Sequence, residues 1–181
     1  AAAILCAGAG VRSSPLLWAS FFAAWLFAGL ASVFIGVAQV FIPDTLDGPW
    51  VARSGIAGRA VSNLRQPNHL STLLLWSAVA VVPLWESVAL RRHAVGRVVL
   101  CALFAAMLFG VVLSGSRTGL VGVAGLVAWG LFDRRLSRSS RGLLLASPLI
   151  CLVSWMALGW LSSMLDTGAL GRVEEGLPTR V

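Results

Sequence analysis

Apolar and polar positions alternate along this chain in long blocks. Five apolar runs, at 16–42, 70–90, 98–113, 120–132 and 143–165, are separated by short polar breaks. A helix needs about 20 apolar residues to cross a bilayer core, so each run reads as a spanning helix. The fourth is short and borrows Thr118 and Gly119 to reach across. Merging the third and fourth would strand Arg117 at mid-bilayer and give a segment far too long. A tight turn at 114–119 is therefore predicted, with Gly115 and Gly119 beside serine and threonine as its turn residues. The opening "AAAILCAGAGV" has no basic stretch before it and reads as the tail of an earlier helix, not as a signal peptide. The chain opens without Met and ends in the polar "LPTRV", so it reads as an internal piece of a longer protein. The predicted fold class is all-α: a polytopic integral membrane protein of about five transmembrane helices plus a partial N-terminal one.

Composition agrees with that reading. The 181 residues are 58% hydrophobic and only 12% charged, against about 25% charged in an ordinary soluble domain. Mean hydropathy is +0.88. All 14 basic residues are arginine, and their distribution sets the orientation. The breaks "RRHAVGR" and "DRRLSRSSR", with Arg12, are strongly basic and fall on one side under the positive-inside rule. That side holds eight arginines with Glu86 and Asp133, and the other holds six arginines with five acidic residues, giving +6 and +1. The segments 43–69, 114–119 and 166–181 are then periplasmic, the last as the start of a larger loop. The net charge of +7 is a topology signal and implies no nucleic acid.

Small residues suggest how the helices pack. Ala24, Ala28, Ser32 and Gly36 recur every four positions and Gly119, Gly122 and Gly125 every three, as close helix approach in lipid favours. Trp18, Trp85 and Trp160 fall near helix ends, where tryptophan anchors at the interface. Gln39 reads as an interhelical hydrogen bonder. Cys6, Cys101 and Cys151 are widely spaced in apolar runs and read as small buried hydrophobes. With His69 and His93 they form no standard zinc spacing.

Two polar clusters remain. In "NLRQPNHLSTLLLW" Pro67 stops any preceding helix, and Asn68 is a suitable N-cap for one starting at His69. Free N–H groups and the helix dipole favour an anion there. The same pattern also fits an ordinary capped helix at the interface. In "LSGSRTGLVG", Arg117 costs a few kcal/mol unless it reaches water, a partner or a ligand. Asp44, Asp47, Glu174 and Glu175 are candidate ion-pair partners. The alternative is a bidentate clamp on phosphate, which a planar guanidinium suits.

"GRAVSNLRQPNHLSTLLL", then "LSGSRTGLVGV" and "GRVEEGLPTR", together resemble the O-antigen ligase and O-antigen polymerase superfamily, and most closely the bacterial protein O-oligosaccharyltransferases that glycosylate pilins. The resemblance rests on the QPNH motif (Gln66, Pro67, Asn68, His69) and the SRTG motif (Ser116, Arg117, Thr118, Gly119). Ser62 and Arg65 stand where that pattern has small residues. The resemblance implies transfer of an oligosaccharide from an undecaprenyl-pyrophosphate carrier to an acceptor hydroxyl in the periplasm, without metal or other cofactor. The acceptor would be a pilin-like protein or the lipid A core, and the enzyme would sit among the lipids of the bacterial inner membrane. Gln66, Asn68, His69, Ser116, Arg117, Arg172 and Arg180 are the implied substrate-binding residues. The general-base histidine would lie beyond Val181, on the loop beginning near Gly171, and His69 does not replace it. Asp44-x-x-Asp47 and Glu174–Glu175 lack the DxD spacing of metal-dependent glycosyltransferases and suit Mg²⁺ poorly.

Two other classes fit the hydropathy: a fragment of a secondary transporter or lipid-linked glycan flippase, which often shows repeat halves, and a purely structural membrane subunit. No internal repeat is visible, and a structural subunit needs no polar cluster on one face. An outward cavity gathering Arg117, His69 and Arg180 would favour the ligase, and a midplane cavity the transporter. The orientation itself is testable. In a variant freed of native cysteines, Arg138→Cys should resist an impermeant thiol reagent in intact cells, whereas Arg65→Cys should react. Labelling at position 138 would overturn the assignment of sides.

Overall fold

The computed structural model describes residues 15–42, 59–87 and 93–164. Six helices carry this part of the chain: α1 (Pro15–Phe41), α2 (Pro67–Glu86), α3 (Ala94–Ser114), α4 (Arg117–Phe132), α5 (Arg138–Leu145) and α6 (Ser147–Met164), with a 3₁₀ turn at Ser62–Leu64 ahead of α2. All regular structure among the described residues is helical. Four helices, α1, α2, α3 and α6, are long and apolar enough to cross a membrane, and α4 is a shorter apolar helix. The all-α polytopic class predicted above is the observed one.

α2 is the axle of the bundle, packed against α1, α3 and α4. Leu70, Leu74, Ala78 and Val81 on α2, with Phe104, Met107 and Leu108 on α3, are almost wholly buried. α1 joins through Leu26, Gly29, Val33, Gly36 and Val40, buried at alternating steps of three and four residues. That spacing keeps one narrow seam facing its neighbours. Gly110 of α3 marks the closest approach: a Cβ there would stand 2.7 Å from Leu74 Cδ1 and 2.9 Å from Val33 Cγ2. Elsewhere the surface is the apolar one a bilayer accepts, with Phe27, Phe34 and Phe132 exposed.

Several sequence expectations change in register. Ala24 and Ala28 are exposed and only Gly36 of that four-residue series is buried, because a strict step of four drifts about 40° around the helix at each repeat. Of the α4 glycines, Gly119 and Gly122 pack on Ser71, Val111 and Leu75, while Gly125 faces open space. Trp18 and Trp160 are exposed as interfacial anchors would be, but Trp85 is buried in the core. Cys101 is exposed and Cys151 half-buried, so neither is the fully buried hydrophobe expected, and Cys6 lies outside the described residues.

The last apolar run divides in two. Pro148 has no N–H, and its ring would collide with the carbonyl of Leu144 in a continuous helix. The Ser147 hydroxyl takes that carbonyl instead, at 2.6 Å. The first piece, α5, begins with Ser137 as its N-cap. Glu86, at the end of α2, accepts from Ser137 N at 2.9 Å and from the buried Ser140 hydroxyl. Arg141 Nε donates to the Gly130 carbonyl at the end of α4, 2.9 Å away. Asp133 accepts from Arg135 N and Trp129 Nε1, and these bonds, the Arg135 one foremost, hold its carboxyl below the usual value. Glu86 and residues 133–141 thus gather at one end of the bundle. The start of α2 and the start of α4 lie at the other.

The junction at Gly110 gives a stability prediction. Gly110→Val should lower stability by about 1–3 kcal/mol through overpacking, read as a lower unfolding midpoint in detergent. Gly125→Ala, whose Cβ meets nothing within 4 Å, should leave it unchanged or raise it.

Candidate functional site

The turn between α3 and α4 is shorter than expected. Only Gly115 and Ser116 lie between the helices, and Arg117 is the first residue of α4. Gly115 adopts φ 57°, a left-handed conformation that suits glycine at a helix C-terminus. Its N–H closes on the Val112 carbonyl at 2.9 Å. The Arg59 side chain lies over it, with Nε 3.2 Å from where a Cβ would stand. Two more of the last carbonyls of α3 are also used, Val111 by the Ser114 hydroxyl at 2.6 Å and Leu113 by Ala60 N at 3.2 Å.

Ser116 is the hub. It caps α4, accepting from Gly119 N at 3.4 Å, and its own hydroxyl donates to Asn68 Oδ1 at 2.7 Å. Ser71 Oγ–H lies 3.1 Å from Ser116 Oγ and 2.9 Å from the Asn68 carbonyl, sharing one proton between them. QPNH and SRTG, some fifty positions apart, are one hydrogen-bonded unit. The helix entry differs from expectation here: Gln66 is the N-cap of α2, and Pro67 opens the helix. Proline at the first helical position costs no hydrogen bond because that N–H is unused anyway. Asn68 therefore sits in the first turn, and its side chain bonds across to α4 instead of capping α2. With Oδ1 occupied, the Asn68 amide NH₂ can serve as donor to a ligand.

The approach to α2 is held from below by Gln39. Its Oε1 accepts from Val61 N and Ser62 N at 3.1 and 2.8 Å, and its Nε2 donates to the Ser62 carbonyl at 3.1 Å. Ser62 also donates its hydroxyl to the Ser32 carbonyl. Gln39 is thus a hydrogen bonder, as expected, and the segment ahead of α2 is among its partners. Ser62 and Arg65 have φ of 47° and 60°, conformations that cost about 1–3 kcal/mol each for residues with a Cβ. The bonds to Gln39 and Ser32 hold the first of them in place.

Of the sequence-predicted site residues, Gln66, Asn68, His69, Ser116 and Arg117 are brought to one end of the bundle. Ser116 is buried, and the other four are exposed. Arg172 and Arg180 lie outside the described residues, as do Asp44, Asp47, Glu174 and Glu175, the proposed ion-pair partners of Arg117. Arg59 and Ser71 were missed. Both stand inside the quoted motif stretch, but nothing in spacing alone says that Arg59 folds over Gly115. No three His, Cys, Asp or Glu side chains among the described residues are grouped to hold a metal ion.

Among the described residues, the electrostatics of this end are one-sided. Neither α2 nor α4 has an acidic residue in its first turn, where the helix dipole favours one by about 0.3–1 kcal/mol. α4 instead begins with arginine, the charge its dipole disfavours. An anion at this end would satisfy the dipole, Arg117 and the Asn68 amide together.

The fold defines a polytopic helical membrane protein with a basic, polar cluster at one end of its bundle. Residues 60–85, from the segment held by Gln39 through QPNH and nearly all of α2, match the protein glycosylation ligase family, and the match supports the family assignment drawn from the motifs. No curated protein and no solved structure matches the chain.

The Ser116 hub carries a stability prediction. Ser116→Ala removes the cap of α4 and the donor to Asn68 and should cost about 1–2 kcal/mol. Ser116→Thr keeps the hydroxyl and should recover most of that loss, both read as unfolding midpoints in detergent.

Proposed function

We propose that this protein is a protein glycosylation ligase that transfers an oligosaccharide from an undecaprenyl-pyrophosphate carrier to an acceptor hydroxyl at the periplasmic face of the bacterial inner membrane. The observation that carries the reading is Arg117 as the first residue of α4, tied through Ser116 to Asn68 at the start of α2. Where a chain breaks a local electrostatic rule, a ligand is the usual compensation. A pyrophosphate is such a ligand: it takes the bidentate guanidinium, the Asn68 amide and the free N–H groups of the two helix starts. The match of residues 60–85 to the ligase family supports the same reading.

In the reaction an acceptor oxygen bonds to the anomeric carbon as the bond to the pyrophosphate oxygen breaks. Negative charge grows on that leaving oxygen. Arg117, set at the start of a helix and not on a long loop, is positioned to stabilise it as it develops. Arg172 and Arg180 are its proposed companions, with Arg180 ahead because no acidic residue adjoins it. Arg59, folded over Gly115 two residues before Arg117, joins the basic cluster. Gln66 and His69 border the carrier site. The acceptor's proton passes to a general base as the new bond forms. The acceptor is a pilin-like protein, with lipid A core as the second reading.

Glycan transfer from lipid-linked donor, measured for the intact enzyme at matched expression, tests this. Removing one charge-assisted contact is worth about 1.5–3 kcal/mol, so Arg117→Ala should lose about ten- to a hundredfold in rate. Arg117→Lys keeps the charge but loses the fork and should stay strongly impaired. A near-normal rate in the Ala variant would reduce Arg117 to a structural role and end the phosphate-clamp reading.

A further inference from the structure

A groove of about 380 Å³ runs down the seam between α2 and α4. Thr72 and Thr118 stand at its mouth, Leu75 and Trp76 line one wall, and Gly125 and Trp129 lie along the other. The mouth adjoins the polar site: Thr118 directly follows Arg117, and the Thr72 hydroxyl donates to the Asn68 carbonyl at 2.8 Å. Below the two threonines every lining residue is apolar or glycine. From Thr118 to Trp129 the groove extends about 16 Å along the helix, roughly half of a hydrocarbon core. Its hollow opens at Gly125 of α4, where a Cβ would meet nothing within 4 Å.

We infer that this groove seats the first part of the polyprenyl tail of the lipid-linked donor, leading it down from a pyrophosphate held at Arg117. The inference rests on the function proposed above and adds the path of the tail. The charge pattern fits one kind of occupant: a cation and helix N-termini at the mouth, then an uncharged channel, match an amphiphile with an anionic head and a slender apolar chain. Bilayer chains are as apolar as the groove, so burial from water contributes nothing. What the groove supplies is shape and direction. A tail lying in it fixes the rotation of the pyrophosphate about its own axis, and hence which oxygen faces Arg117.

The test uses a polyprenyl pyrophosphate with a diazirine on its tail, bound to the intact protein in phosphatidylcholine nanodiscs. Photocrosslinks should map to Trp76, Val121 and Trp129. Unlabelled polyprenyl pyrophosphate should displace them, and excess phosphatidylglycerol should not. Gly125→Leu fills the hollow without a backbone clash and should drop the crosslinks to the yield at the outer face of α6. Ala157→Leu, on that face, should leave them intact. Equal displacement by phosphatidylglycerol would mark the groove as an ordinary lipid contact and overturn the inference. So would binding that needs Arg117 but crosslinks elsewhere, an outcome that leaves the ligase reading standing. Failure of the probe to bind at all, with Arg117 intact, sinks the pyrophosphate reading and the groove with it.

Discussion

The Ser116 hydroxyl can donate one hydrogen bond and accept two, and it makes all three: to Asn68, from Ser71 and from Gly119. Each partner lies on a different stretch of the site. Gly119 fixes the first turn of α4, Ser71 fixes the buried face of α2, and Asn68 fixes the exposed one. The energy of such a bond is modest, about 0.5–1.5 kcal/mol net. Its value is geometric, because a saturated hydroxyl leaves the two helix starts no freedom to slide. The direction of Arg117 follows from that lock, since it is the next residue along the chain.

Hydrocarbon explains why the polar contacts gather at two ends. Backbone groups buried away from water have only protein to bond with, so a non-helical stretch packed into the bundle needs partners brought to it. Residues 60–62 obtain theirs from Gln39 and Leu113. At the far end Glu86 holds the start of α5, and Arg141 covers the Gly130 and Leu131 carbonyls. Between the two polar ends α2 is almost purely apolar on its buried face. An axle fixed at both ends and packed along its length is a rigid support for the polar cluster at its start.

The helical type of the apolar runs, the break at Arg117 and the two polar motifs were legible in the sequence. The physical reason is that lipid imposes length and apolarity on each span separately, so each run can be read without its neighbours. Register was less legible. The buried seam of α1 runs through Gly29, Val33 and Gly36 because Ser77, Leu74 and Ala60 stand opposite, and no period on α1 alone contains that information. The division of the last run at Ser147–Pro148 was available from proline chemistry but hidden by the continuous hydropathy around it.

What the sequence determined by itself is the set of parts: apolar spans, a basic side, and two short motifs built of anion-binding residue types. What only the tertiary structure decided is their juxtaposition. Asn68 and Ser116 are 48 positions apart, and either could have capped its own helix. Ser116 does cap α4 while also reaching α2, whereas Asn68 yields its cap position to Gln66 because Pro67 takes the first helical place. Arg59 reaches the site only because Gly115, without a side chain and in a left-handed turn, lets it approach. Local chemistry chooses residue types one helix at a time; contacts between helices are made only when the helices pack.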